Sequence, residues 1–261
     1  MNILNKIIEH KRVEVAQRKL SSPETMLRES EYFERKCILL ADSLCTDDSS
    51  GIIAEFKRKS PSKGYINEFA DAGKVTTGYM HAGAAGLSIL TDETFFGGTE
   101  NDLKIARRNQ IPILRKDFII DTYQITEAKT MGADVILLIA ACLSVNEVRT
   151  LAKYAVSLGL EVLLELHHPD ELNHICDETG LVGINNRNLK DFKVDINASL
   201  EMSKLIPSDK IKIAESGITD AAMINTFNDV GFKGFLIGEN FMKETDPALA
   251  LENFIKQMNR K

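Results

Sequence analysis

IIAEFKRKSPSKG, residues 52–64, begins as a core strand and ends in charge. Ile52, Ile53 and Ala54 are apolar, yet Glu55, Lys57, Arg58 and Lys59 follow at once. Ser60-Pro61-Ser62-Lys63-Gly64 then has the composition of a turn. Strand residues at i, i+2 and i+4 share a face, so Ile53, Glu55, Lys57 and Lys59 point one way and Arg58 the other. Pointed into a closed sheet, Ile53 belongs to the packed layers, Glu55 and Lys57 to the layer above, and Lys59 to the mouth if the strand continues that far. Pointed at solvent, the same charges are surface ion pairs of little energetic weight. The rest of the chain decides between these readings.

From Gly51 onward, short β-rich apolar runs alternate with longer helical patterns. The strand candidates are 51–57, 86–91, 111–115, 134–139, 161–165, 181–185, 211–214 and 234–238. Helical patterns follow them at 71–83, 99–109, 121–131, 144–158, 169–178, 195–205, 219–229 and 246–258. Asp121, Ser144 and Thr219 stand where helix caps belong. Strand alternating with helix implies right-handed crossovers and a parallel sheet. Eight such units in 261 residues predict an α/β fold, a (β/α)8 TIM barrel with an N-terminal helical extension. An open doubly wound sheet is the alternative, weakened because no GxGxxG follows the first strand. Residues 1–261 are read as a single barrel domain, of which 1–45 form the extension. Within it, residues 1–20 place Ile3, Leu4, Ile7, Ile8 and Val15 on one helical face. Ser22-Pro23-Glu24 reads as the cap and first turn of a second helix, before a polar stretch at 46–50.

Hydrophobic residues at 44% and charged residues at 27% give the makeup of a globular enzyme. The net charge of −6 offers no global attraction for nucleic acid or an anionic membrane, so neither is an expected partner. The basic knot at 57–59 is therefore a local feature of an acidic protein. Cys37, Cys45, Cys142 and Cys176 show no CxxC or disulfide-framework spacing, which predicts free thiols in a reducing compartment. The longest apolar run, 135–143, is too short to span a bilayer. The N-terminus lacks an uncharged run with a small-residue cleavage site, so no signal peptide is expected. The expectation is a cytoplasmic protein, a monomer or weak homodimer.

In such a barrel the chemistry sits at the C-terminal ends of the strands. There the sequence places Glu55, Lys57 and Lys59; Arg115, Lys116 and Asp117; Glu165; Asn185, Asn186 and Arg187; Glu215, Ser216 and Gly217; and Gly238, Glu239 and Asn240. At the opposite end the clustering of charge is weaker. Six charged or amide-bearing strand ends together favour a site over a solvated edge. Ser216-Gly217 after strand 7 and Gly238 after strand 8 match the position of a barrel phosphate site, where small residues let backbone N–H groups reach an anion. His167 and His168 follow Glu165, but with no HExxH or second His pair at ligand spacing, no metal is expected. His81 and His10 are read as surface or packing residues.

At these residues the sequence resembles the indole-3-glycerol phosphate synthase family. The match runs through IIAEFKRKSPSKG, SILTDETFFGG, ILRKDFIIDTYQI, GADVILLIAA, LLELHHPDEL, GINNRNL, IAESGI and FLIGENFM, in family order and spacing. The N-terminal helical extension also fits that family. The resemblance implies a carboxy-lyase of tryptophan biosynthesis. Its small-molecule phosphosugar–anthranilate substrate is 1-(2-carboxyphenylamino)-1-deoxyribulose 5-phosphate, which it closes to indole-3-glycerol phosphate with loss of carbon dioxide and water. No metal or organic cofactor is implied. Lys116 would be the general acid at ring closure and Glu165 the general base of the dehydration, with Glu55 and Asn185 positioning the reacting groups. Lys57, Ser216, Gly217, Gly238 and the backbone at Glu239 would cradle the phosphate. Glu215 would belong to the substrate site. Lys59, Ser60 and Arg187 would lie near the anthranilate carboxylate or a closing loop. GENFM departs from relatives with a smaller residue after Glu239. The chain end near 261 gives the expectation that no fused isomerase domain follows.

The chemistry asks for these residue types independently. An aromatic carbon is a poor nucleophile, so the ketone needs an acid close to it. The expectation is that desolvation or neighbouring cations, Arg115 and Lys57, bring the pKa of Lys116 down toward neutrality. The turn after strand 1 is expected to close over the mouth. On residues alone, rival readings stay open: a phosphosugar isomerase or epimerase, a Schiff-base aldolase on Lys116 or Lys57, and a ligand-binding barrel without catalysis.

Overall fold

The computed structural model describes residues 3–187 and 193–258. Eight parallel strands close into a barrel: β1 (Ile52–Phe56), β2 (Gly86–Leu90), β3 (Ile113–Lys116), β4 (Val135–Ile139), β5 (Glu161–Leu166), β6 (Leu181–Asn185), β7 (Ile211–Glu215) and β8 (Phe232–Ile237). Each pairs with its sequence neighbours. The ring is sealed where β8 pairs with β1 through Ile52↔Phe235, Ile53↔Leu236 and Ala54↔Ile237. The helices are α1 (Ile3–Ser21), α2 (Glu24–Leu27), α3 (Leu40–Cys45), α4 (Ala72–His81), α5 (Glu93–Phe96), α6 (Glu100–Ala106), α7 (Thr122–Met131), α8 (Val145–Ser157), α9 (Ile196–Ser203), α10 (Ala221–Asp229), α11 (Glu239–Met242) and α12 (Pro247–Met258). This is the expected (β/α)8 barrel behind an N-terminal helical extension, and none of the described helices is long and apolar enough to cross a membrane.

Period-two alternation in β1 sorts its side chains as the opening motif implied. Ile53 joins the barrel interior with Leu114, Leu137, Leu163, Ile213 and Leu236. Ile52, Ala54 and Phe56 pack outward beneath the helices. The lower end of the interior is plugged by α3, whose Leu40 and Leu44 enter that inner cluster. Gly86 and Gly234 make room for the plug, since a Cβ on either would meet Leu40 Cδ1 at 2.7 Å or Leu44 Cδ1 at 3.2 Å.

Four local readings are corrected. Residues 169–178 form only a 3-10 turn, Pro169–His174. Leu172 and Ile175 are three apart, and three-residue turns bring such positions into line against the core. Ser22 does not cap α2; its N–H donates to Arg18 at the end of α1, and the position before α2 is Pro23 in extended conformation. Thr219 does not cap α10; Asp220 does, accepting from the backbone of Ala222 and Met223. The end opposite the expected site is also strongly charged. Buried Asp134 binds Arg107 at 2.5 Å and Arg35 at 2.6 Å and accepts from the N–H groups of Ile38 and Ile113. Its dispersal in sequence hid it, because its partners lie 27 and 99 positions away.

Asp134→Asn leaves two guanidiniums beside a neutral amide in the interior. Breaking a buried pair costs about 3–5 kcal/mol, so urea unfolding is expected to show a loss of that order. A loss below about 1 kcal/mol would assign the cluster the weight of a surface pair.

Candidate active site

At the C-terminal end of the barrel lies a cavity of about 430 Å³. Glu55, Lys57, Lys116, Glu165, Asn185, Glu215 and Ser216 line it, and so do Ser60, Arg187, Gly217, Gly238 and Glu239. These residues come from six strand ends and the loops after them. Lys59 is the exception. β1 ends at Phe56, and a short hairpin pairs Lys59–Ser60 with Gly64–Tyr65. The hairpin turns the Lys59 ammonium away, onto the Thr94 carbonyl at 3.1 Å and over the Tyr65 ring. Arg58 points outward, as alternation required, and grips Asp102 at 2.6 and 2.8 Å. The motif GINNRNL runs past Arg187 into Asn188 and Leu189, which lie outside the described residues.

The floor is an ion cluster centred on Lys116. Its Nζ donates to Glu165 Oε2 at 2.7 Å and to Glu215 Oε2 at 2.8 Å. Beside it, Lys57 pairs with Glu55 at 2.7 Å. Asn185 Nδ2 donates to the other Glu165 oxygen at 3.0 Å. The carboxylates fit because two neighbouring positions are glycine. A Cβ on Gly183 would lie 2.1 Å from Glu215 Oε1, and one on Gly238 would lie 2.5 Å from Glu55 Oε1. Gly183 lies within β6, where a strand glycine commonly marks such close approach.

The charges overturn the expectation of a lysine tuned toward neutrality. Burial disfavours the Lys116 ammonium, but Glu165, Glu215 and Glu55 together outweigh burial and hold its pKa above the ordinary lysine value. Arg115 does not face the site; it points outward beneath α7, bound to the Gln124 carbonyl at 2.7 Å and to Asp117 at 3.1 Å. Lys57 is neutralised by Glu55. The two carboxyls that share Lys116 are split. Burial pushes both up, yet Lys116 and His167 hold Glu165 well below the usual carboxylate range. Glu215, buried and facing ionised Glu165, is pushed up to about 7 despite Lys116.

The rim differs in kind. Ser216 and Gly217 both have left-handed backbones, φ 67° and 72°. For serine that conformation is uncommon, and such outliers cluster at functional sites. Asn240 Nδ2 donates to the Thr219 carbonyl at 3.1 Å and so ties the loop after β8 to the loop after β7. The tip of the hairpin reaches across the mouth, where Lys63 pairs with Glu239.

Several residues of the cavity were not assigned to it from the sequence. Phe96 and Phe118, their ring centroids 5.9 Å apart, stand on its wall. Ile3, Leu4 and Ile7 of α1 complete the wall from above. His167 also lines it. The helix is fastened by a buried lysine: Lys11 bridges Asp92 and Asp117, each at 3.0 Å, and Glu14 at 2.8 Å. A signal for Lys11 existed, because it falls midway between Ile7 and Val15 on the buried stripe, where a charge needs a partner.

The family model described as indole-3-glycerol phosphate synthase matches residues 4–254. The indole-3-glycerol phosphate synthase of Bacteroides thetaiotaomicron is 46% identical, covering 98% of this chain and 98% of its own length. That of Burkholderia vietnamiensis is 43% identical over 96% of this chain and 97% of its own length. Among solved structures, the tryptophan synthase A-subunit of Pyrococcus furiosus matches with a TM-score of 0.59 at 15% identity, over 80% of this chain and 98% of that one. KGPDC from Streptococcus mutans matches with a TM-score of 0.61 at 14% identity, over 80% and 97%. At these identities the two structures speak for the fold alone.

The raised pKa of Glu215 sets a pH dependence of stability. Between the ordinary glutamate value of 4.5 and about 7, the folded chain holds a proton on Glu215 that the unfolded chain has lost. Stability therefore falls as pH rises through that window, by an amount on the order of 3 kcal/mol. Glu215→Gln removes this fall. Wild type is expected to lose stability relative to the variant between pH 5 and pH 8 in denaturant titrations; a difference independent of pH would refute the assignment.

Proposed function

The chain belongs to the indole-3-glycerol phosphate synthase family, and we propose that it catalyses that family's ring closure of 1-(2-carboxyphenylamino)-1-deoxyribulose 5-phosphate. The products are indole-3-glycerol phosphate, carbon dioxide and water, as a carboxy-lyase step of tryptophan biosynthesis. The observation that carries this reading is the Lys116 ammonium held 2.7 and 2.8 Å from two buried carboxyls on the floor of a cavity rimmed by Ser216, Gly217 and Gly238.

The cavity has a suitable environment for each part of the substrate. The Phe96–Phe118 wall and the apolar face of α1 suit the aromatic ring. The small residues after β7 and β8, with Lys57, suit the phosphate, whose oxygens favour backbone N–H groups and cations. Ser60 and Arg187 suit the anthranilate carboxylate or the closing hairpin. Lys59, turned outward onto Thr94, is left with no direct contact. Glu55 and Asn185 position the groups around the ketone.

At ring closure the aromatic carbon bearing the carboxylate attacks the ketone carbon. The carbonyl electron pair moves to oxygen, which takes a proton from Lys116. A raised pKa does not disable this acid. The developing alkoxide is about as basic as hydroxide and far more basic than an amine, so transfer from an ammonium is favourable. The C–CO2 bond then breaks, and its electron pair restores the aromatic ring. In the dehydration the hydroxyl leaves as water with a proton from solvent, while Glu165 takes the proton of the adjacent ring carbon, whose C–H electron pair forms the new double bond. Glu165 returns its proton to solvent and Lys116 is recharged from it, so each turnover consumes one proton. The wider reading is one barrel domain over 1–261 acting in the cytoplasm.

Purified protein mixed with the carboxyphenylamino-deoxyribulose phosphate is expected to develop indole fluorescence and release carbon dioxide. An unchanged substrate, or a covalent adduct trapped by borohydride on Lys116 or Lys57, would reject the reading in favour of a silent barrel or an aldolase. Lys116→Ala is expected to cut turnover by about 10²-fold or more while inorganic phosphate still binds; full turnover would remove Lys116 from the mechanism. For Glu165→Gln, the dehydration stage is expected to slow and the ring-closed alcohol to accumulate in single-turnover quenches. Normal turnover without that species would reject Glu165 as the base.

A further inference from the structure

His167 is the second residue after Glu165 in β5 and the loop beyond it, so both side chains face the cavity. Its side chain is 7% exposed, and Nε2 lies 3.0 Å from Glu165 Oε1. The N–H is not aligned along that line, and neither ring nitrogen has another hydrogen-bond partner among the described residues. Buried polar atoms left in that state are rare and call for a reason. Glu171 fixes the segment from behind, accepting from the backbone N–H of His167 at 2.6 Å, with its carboxylate 3.9 Å from Nδ1. The imidazole therefore stands between two carboxylates.

The other charged groups around it act in the same direction. Glu215, from β7, adds attraction for an imidazolium. The Cys142 thiol after β4 stays neutral, pushed up to about 12 by burial, Glu165 and Glu171. Lys116, from β3, holds Glu165 by its opposite oxygen, Oε2. Asn185 and His167 converge on Oε1. Glu165 is thus approached from three sides, by Lys116, Asn185 and His167.

We propose that His167 is a positioning residue for the dehydration base: its imidazole, set between Glu165 and Glu171, keeps Glu165 ionised and aimed at the reacting centre. This rests on the synthase reading and adds a role beyond the residues assigned there. Glu165 must be ionised to accept a proton, and losing a cationic neighbour raises its pKa.

The test compares His167→Ala and His167→Gln with wild type, each first checked for an unchanged thermal midpoint. In His167→Ala, kcat is expected to fall by about 10- to 100-fold, the range for a misplaced catalytic group, with KM little changed. The acid limb of its kcat profile should move to higher pH. His167→Gln, which keeps an N–H at similar reach, is expected to recover part of kcat. Unchanged kcat and an unmoved acid limb in a folded Ala variant would overturn the proposal, as would a rise in KM alone. Nitrogen-15 histidine titrations give a readout independent of turnover. The pKa of His167 should lie above that of free histidine and drop in Glu165→Gln; equal values in both proteins would overturn the pairing. Wild type without turnover but with the paired imidazole would indict the synthase reading and leave the pairing standing.

Discussion

Lys116 is the group around which the upper half of the barrel is organised. Its side chain is only 13% exposed, so its charge must be paired, and the pairs come from strands far apart in sequence: Glu165 on β5 and Glu215 on β7. Two anionic carboxylates against one cation would leave net negative charge in a poorly solvated place. The site resolves this by splitting the carboxyls: Glu165 stays ionised and Glu215 takes up a proton near neutrality. Like charges in one pocket force such a separation. Gly183 and Gly238 follow from the same constraint, because any side chain there would occupy the space of a carboxylate.

The second constraint is shape. A barrel interior is filled by side chains, so a cavity exists only where the packing layers stop. Here they stop above Ile53, and the charged layer begins with Glu55. The cover is supplied by the extension and the hairpin. α1 lies over the mouth with its apolar stripe inward, and Lys11 anchors it to Asp92 and Asp117, which follow β2 and β3. Asp117 is adjacent to Lys116, so the anchor of the cover and the centre of the site share one strand end. The other end of the barrel is closed by α3 and the Asp134 cluster, so the barrel interior opens toward the C-terminal ends of its strands.

Much of this was legible in the sequence, and for identifiable reasons. Each barrel strand is a short apolar run bounded by polar residues, and period-two alternation placed Ile53, Glu55 and Arg58 on the correct faces. Boundaries moved where local chemistry intervened, as at Pro112, which supplies no N–H and delays β3. The placement of Lys59 at the mouth needed the strand to continue that far, and it ends at Phe56, before a hairpin that turns Lys59 away. The tuning of Lys116 was misread because Arg115, adjacent in sequence, is on the opposite face of β3. The partners of Lys11 and Asp134 were invisible for a different reason: a buried ion pair between distant segments leaves no local pattern. The aromatic wall lay within quoted motifs, but its facing could not be read from loops without periodicity.

The split between Glu165 and Glu215 is open to direct observation. Carbon-13 labelling of the glutamate carboxyls, with the two resonances assigned from the single Gln variants, follows each group through a pH titration. The account predicts that Glu165 remains ionised far below the usual carboxylate range while Glu215 titrates near 7. Two carboxyls titrating together at ordinary glutamate values would contradict it, because Lys116 would then not be clamped between them.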